Sequence, residues 1–168
     1  MNWKVKKFTI IVLVFFMMCA TTCTLCACPS GDIPPNGDEP QEDETPQEVD
    51  TMYITINGNK LEVTLENNAT VKALVEVLQQ GDLTYTADDY GGFEKVGHIG
   101  RSLPRNDTQI TTQAGDVVLY LGNQICIMVG SNSWAYTRIG KINGHTATEL
   151  KKLVGIGSGS AEVTLSLH

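Results

Sequence analysis

Apolar and polar residues alternate along much of the chain beyond residue 50, and this pattern predicts mostly strands. Met52-Tyr53-Ile54-Thr55-Ile56 and Lys60-Leu61-Glu62-Val63-Thr64-Leu65 alternate on either side of Asn57-Gly58. Asn-Gly between two such runs is the strongest short-range hairpin signal, because both residues tolerate the positive φ of a type I′ turn. The period then changes. Val71, Leu74, Val75 and Leu78 fall at i, i+3, i+4 and i+7, one apolar face of a helix running toward Gly81, with Thr70 or Asn68 able to cap its start. Further strands are predicted at Leu83–Thr86, Phe93–Ile99, Val117–Leu121, Gln124–Val129 and Trp134–Gly140, with a weak one at Gln109–Thr112. Thr146-Ala147-Thr148-Glu149 matches a capping box and opens a short helix whose apolar face is Leu150, Leu153 and Val154. Ala161–Leu167 is a regular last strand, expected to pair with the first and so remove exposed sheet edges. The expected fold is mainly β: a small closed barrel of about eight strands with two short capping helices, one of them plugging a barrel opening.

The first 50 residues follow different rules. Lys4, Lys6 and Lys7 precede an apolar run from Phe8 to Met18, too short for the ~20 residues of a permanent membrane span. This is the layout of a secretory signal. Leu25-x-Ala27-Cys28 resembles the bacterial lipobox, which implies cleavage before Cys28 and a lipid anchor on its sulfur. More than one acyl chain would hold the protein stably on a membrane. Residues 28–50 are rich in proline and acid and nearly free of apolar side chains, so they are expected to form a disordered tether. The resulting organisation is a signal peptide over 1–27, a tether over 28–50 and one domain over 51–168. The expected location is the bacterial cell envelope, outside the cytoplasm, with the membrane as partner through Cys28.

Charge and cysteine usage narrow the classes of function. The chain carries a net −7, but residues 51–168 hold 11 acids and 9 bases, so the excess acid belongs to the tether. No basic stripe is present, which argues against a nucleic-acid partner. Cys19, Cys23, Cys26 and Cys28 belong to the leader, and Cys126 stands alone in the domain, so no disulfide can form within it. His98, His145 and His168 lack metal-ligand spacing, and neither a metal nor another cofactor is expected.

Candidate chemistry gathers in Thr86–Pro104, where acids, aromatics and glycines crowd without a simple period. Arg101 reads as a donor to a ligand carbonyl or carboxylate, or as an ion-pair partner of Asp88, Asp89 or Glu94. Those three acids lack the spacing of a calcium loop or a catalytic pair and read as turn and strand-end residues. Alternation puts Tyr136 and Arg138 on one strand face, and Tyr90, Phe93 and Trp134 could add aromatic walls to a groove there. Cys126, between Ile125 and Ile127, reads as a small core residue. Gly155-x-Gly157-x-Gly159 has the wrong spacing and context for a nucleotide loop.

Taken together, Asn67-Asn68-Ala69-Thr70-x-Lys72-Ala73-Leu74, Asp89-Tyr90-Gly91-Gly92-x-Glu94-Lys95, Arg101-Ser102-Leu103-Pro104, Gly115-Asp116-Val117-x-Leu119-Tyr120 and Tyr136-Thr137-Arg138-Ile139-Gly140 resemble a bacterial family of cyclophilin-like domains. The resemblance runs in order through nearly all of residues 52–168. It implies a cyclophilin-like barrel capped by helices and no settled activity. Cyclophilins that isomerise X-Pro bonds carry a Phe-His-Arg strand and a Met-Gln-Gly-Gly-Asp segment, and both are missing here. The expectation is therefore a groove that binds a peptide or small molecule through Tyr90, Phe93, Arg101, Trp134, Tyr136 and Arg138. Prolyl isomerase activity on extracytoplasmic proteins is the alternative.

Overall fold

A computed structural model of the protein describes residues 49–168. The expected signal peptide, the Cys28 anchor and nearly all of the tether lie outside the described residues. The elements are β1 (Thr51–Ile56), β2 (Asn59–Leu65), α1 (Ala69–Leu78), β3 (Leu83–Tyr90), β4 (Glu94–His98), β5 (Thr108–Thr111), β6 (Asp116–Tyr120), β7 (Gln124–Met128), β8 (Ser133–Ile142), α2 (Ala147–Leu153) and β9 (Ala161–Ser166).

The strands run β2-β1-β9-β3-β4-β7-β6-β8, and a further β2–β8 pairing closes them into an eight-stranded antiparallel barrel. The ninth strand, β5, pairs only with the first half of β8 and makes a two-stranded ribbon beside the barrel. First and last strands pair, from Tyr53↔Ser166 to Ile56↔Val163. Asn57 and Gly58 both take positive φ, 50° and 75°, as the hairpin turn requires. Met52, Ile54, Leu119, Ile127, Ile139 and Leu165 are among the residues that fill the interior, and each is fully buried. The α1 helix adds Val71, Leu74 and Leu78 to that interior, and α2 adds Leu150.

Several local expectations are refined. Asn68 is the α1 cap, its Oδ1 accepting from the Val71 N–H at 3.0 Å, while its Nδ2 donates to the Arg138 carbonyl at 2.9 Å. The Thr70 hydroxyl instead donates to the Pro104 carbonyl at 2.6 Å. The helix ends at Leu78, the last position of its apolar period and short of Gly81. Gly81, at φ 144°, is not in the left-handed capping conformation. The strand expected to end at Thr86 continues as β3 to Tyr90, because Asp88, Asp89 and Tyr90 pair with Val96, Lys95 and Glu94. The capping box of α2 is complete, with Thr146 and Glu149 bonding reciprocally.

Lys95 departs most from ordinary strand patterning. It faces the barrel interior and is 0% exposed. Its ammonium donates to Asp89 Oδ1 at 2.6 Å and to the Gly155 and Gly159 carbonyls. Asp89 Oδ2 accepts from the Gly157 and Gly159 N–H groups at 2.9 and 3.0 Å. The glycine-rich loop after α2 is thus folded around one ion pair. Lys95 holds the Asp89 carboxyl below the usual carboxylate range, and the two backbone N–H groups add to that effect.

Candidate functional site

Antiparallel barrels usually show water a polar outer face. Here one sector of the outer face is apolar. In β6 and β7 the residues between the interior positions are also hydrophobic, and Val118, Cys126, Met128 and Tyr136 form a second buried cluster. Phe93, Val96, Ile110 and Tyr120 pack against it.

The register arranges this face in rows. Tyr90 stands opposite Glu94, and Glu94 opposite Met128. The next row runs Asp88, Val96, Cys126, Val118, Arg138. A third joins His98, Gln124 and Tyr120. Tyr136 lies edge-on to Tyr120, with ring centroids 5.9 Å apart, and its hydroxyl accepts from Asn132 Nδ2 at 2.8 Å. On the flanking ribbon, Ile110 stands opposite Trp134 and Thr108 opposite Tyr136. An open groove of about 550 Å³ continues the face over Asp88, Tyr90, Val96, His98 and Gln124.

A bulge sets the polar edge. Val117 pairs with Gly140 and Val118 with Arg138, so Ile139 is the extra residue of β8. Strict alternation would put Arg138 and Lys141 on opposite faces. The bulge shifts the phase, so that Ile139 and Ile142 both reach the interior and the two bases share the outer side with Asp116. Lys141 Nζ lies 2.7 Å and Arg138 Nη1 3.6 Å from the Asp116 carboxylate.

Glu94 is the chemically distinctive residue of this face. It is only 5% exposed, and its Oε2 has no hydrogen-bond partner. Among the described residues two other buried side-chain polar atoms share that condition, Tyr85 Oη and Asn123 Oδ1. Neither residue belongs to the outer apolar cluster. Burial pushes the Glu94 carboxyl up from its ordinary value, and the Cys126 thiol, as a weak donor, offsets part of this. Burial first, and the charge of Glu94 second, push the Tyr136 hydroxyl up to about 12. Burial and Glu94 also raise the Cys126 thiol, so it is no ready nucleophile.

Of the residues expected to line a groove, Tyr136 is at the centre of this cluster, Phe93 packs on it, and Arg138 stands in the Val118 row. Tyr90, 62% exposed, flanks Glu94 and lies edge-on to Phe93 at 6.0 Å. Trp134, 54% exposed, belongs to the ribbon. Arg101 is on an exposed loop that runs past the β6–β7 turn, where Ile99 and Leu103 bond to Asn123 and Gly122. It makes no ion pair among the described residues, and two of the three acids considered for it are engaged elsewhere. Asp89 holds Lys95, and Asp88 accepts from Ser160.

Sequence reasoning read Glu94 as a turn or strand-end acid, did not name Lys141, and read Cys126 as a small core residue without separating the outer cluster from the barrel interior. A usable signal lay in Val117–Leu121 and Gln124–Val129, where unbroken apolar runs replace alternation, as they do in strands covered on both faces. A larger depression of about 780 Å³ lies between α1 and residues 49–50 and 65–67.

The family model for the cyclophilin-like family matches residues 54–166, which includes every strand of the outer face. The chain belongs to the cyclophilin-like family. Its fold is similar to the solution structure of a hypothetical protein from Archaeoglobus fulgidus, with a TM-score of 0.54 and 17% identity over 71% of this chain and 96% of that one. At that identity the likeness concerns the fold alone. No curated protein matches the chain. A cyclophilin-like fold does not by itself bring an activity, so function has to be argued from the site.

Proposed function

We propose that this cyclophilin-like domain is a binding module that holds an extended peptide or small molecule on the outer sheet face centred on Tyr136, and that Cys28 anchors it by lipid to the extracytoplasmic side of the bacterial envelope. The observation that carries the binding reading is the second apolar cluster, built on an outer face and enclosing a buried carboxyl without a full set of partners. Apolar walls with a few placed polar groups are what small ligand sites use. Aromatic rings at Tyr90, Phe93, Tyr120 and Trp134 supply contact area with few rotatable bonds. Catalysed prolyl isomerisation would need an arginine free to reach the substrate carbonyl. Arg138, the arginine of this face, is drawn to Asp116 at 3.6 Å, so binding is the reading taken.

The test is an NMR titration with short X-Pro and proline-free peptides, watching the same samples for cis–trans exchange. Shifts gathered at Tyr90, Phe93, Trp134, Tyr136 and Arg138 without exchange are expected. Catalysed exchange lost in Arg138→Ala or Arg101→Ala would make the domain an isomerase. For the anchor, Cys28→Ser should move the protein out of the membrane fraction, and retention there would count against lipidation at this cysteine.

A further inference from the structure

We propose that the outer face recognises a basic group on its ligand, an ammonium or guanidinium, and seats it on Glu94, next to the groove residue Tyr90. This inference rests on the binding reading above and adds a ligand class to it.

A carboxylate accepts hydrogen bonds and donates none, so an Oε2 buried without a donor is an acceptor left open. Leaving such a group unpaired is costly, and a ligand N–H removes that cost. The protein's own bases do not meet this need. On this face Arg138 and Lys141 share Asp116, and Lys95 is on the opposite side of β4 with Asp89. The walls agree in sign. Tyr90 stands beside Glu94 in register, Phe93 lies edge-on to it, and Tyr136 and Tyr120 follow across the face. Aromatic faces attract cations. An anionic ligand would instead meet Glu94, with Asp88 in the next row.

Loss of a proton should accompany binding. The titratable and charged groups on the outer side of the elements around Glu94 are Tyr90 and Asp88 on β3, His98 on β4, Cys126 on β7, Asp116 and Tyr120 on β6, and Tyr136, Arg138 and Lys141 on β8. None of the cations among them pairs with Glu94. An arriving cation therefore favours the ionised carboxylate and weakens its hold on a proton.

The experiment is calorimetry on the full chain in detergent micelles. The probes are a lysyl tetrapeptide, its norleucine counterpart, and N-acetyl-lysine methylamide with its norleucine counterpart, each against wild type and Glu94→Gln. The lysyl probes should bind wild type about tenfold more tightly than the norleucine ones, as a charge-assisted hydrogen bond allows. Glu94→Gln should erase that ratio. In wild type, lysyl binding should release more protons as the pH is lowered, read as a dependence of the heat on buffer ionisation enthalpy. Should Glu94→Gln fail to fold, the wild-type ratio and proton release still decide the matter. Equal binding of lysyl and norleucine probes overturns the basic-group proposal and leaves the groove reading in place. Binding of neither overturns both. Tight binding of the small amide points to a free amine as ligand, and binding of the tetrapeptide alone points to a peptide.

Discussion

Substitution at the Asp89–Lys95 pair should be asymmetric, because the two partners are unequally buried. The Lys95 side chain is 0% exposed, while that of Asp89 is 20% exposed and keeps two backbone donors. Asp89→Ala strands an ammonium inside the barrel with two carbonyls for company. Breaking a buried pair in this way costs about 3–5 kcal/mol. Lys95→Met keeps an apolar stem of similar length and removes the charge. It leaves a carboxylate that can still see water and two N–H groups, so a cost of about 1–3 kcal/mol is expected, mostly from lost hydrogen bonds. The double variant should be more stable than Asp89→Ala alone, since the second change removes the stranded charge. Urea denaturation at pH 7 measures all four proteins, with extrapolation error of about 10–15%. A cost for Asp89→Ala below about 1 kcal/mol, or additive losses in the double variant, would refute this account of the pair. The pH dependence supplies a second check. The folded Asp89 value lies below its ordinary 3.8. Its contribution is therefore present above that value and is lost as pH falls through the lower folded one. Lys95→Met should flatten that acid limb, because the lysine is the largest cause of the shift.

Three further outcomes are expected. The folded value of Glu94 is raised from 4.5, so stability should fall as pH rises past 4.5 and level off beyond the folded value. Glu94→Gln should remove that descending limb in urea midpoints taken between pH 4 and 8. Asn68→Ala deletes the α1 cap and a tie to the β8 backbone, and should cost about 1–2 kcal/mol in thermal or urea unfolding. Cys126 is 1% exposed, with its thiol held protonated by burial, so alkylation followed by peptide mapping should label it only at the rate of unfolding. Rapid labelling in the native state would contradict that placement.

The local elements of this protein are written in its sequence, because they depend on near neighbours. Asn57-Gly58 specifies a hairpin through its own φ angles, Thr146 and Glu149 close a cap three residues apart, and alternation marks β1, β2 and β9. The family motifs extend this to the closed barrel, whose first and last strands pair as their regularity suggests.

The candidate site was only partly legible. Tyr136, Arg138, Tyr90, Phe93 and Trp134 could be named from residue type and alternation. Glu94 could not, because a carboxylate beside a turn reads as solvated until the β7 neighbours Met128 and Cys126 are placed over it. Lys95 looks like a surface lysine until Asp89 and a loop some sixty residues later close around it. The bulge at Ile139, which brings Lys141 beside Arg138, shows in β8 only as Ile139 and Ile142 three apart, and the pairing with β6 is what locates it. Alternation separates the two faces of a strand but does not say which is covered when both are apolar, as in β6 and β7. Charge pairing and burial are settled between residues distant in sequence, and so only the assembled barrel decides them.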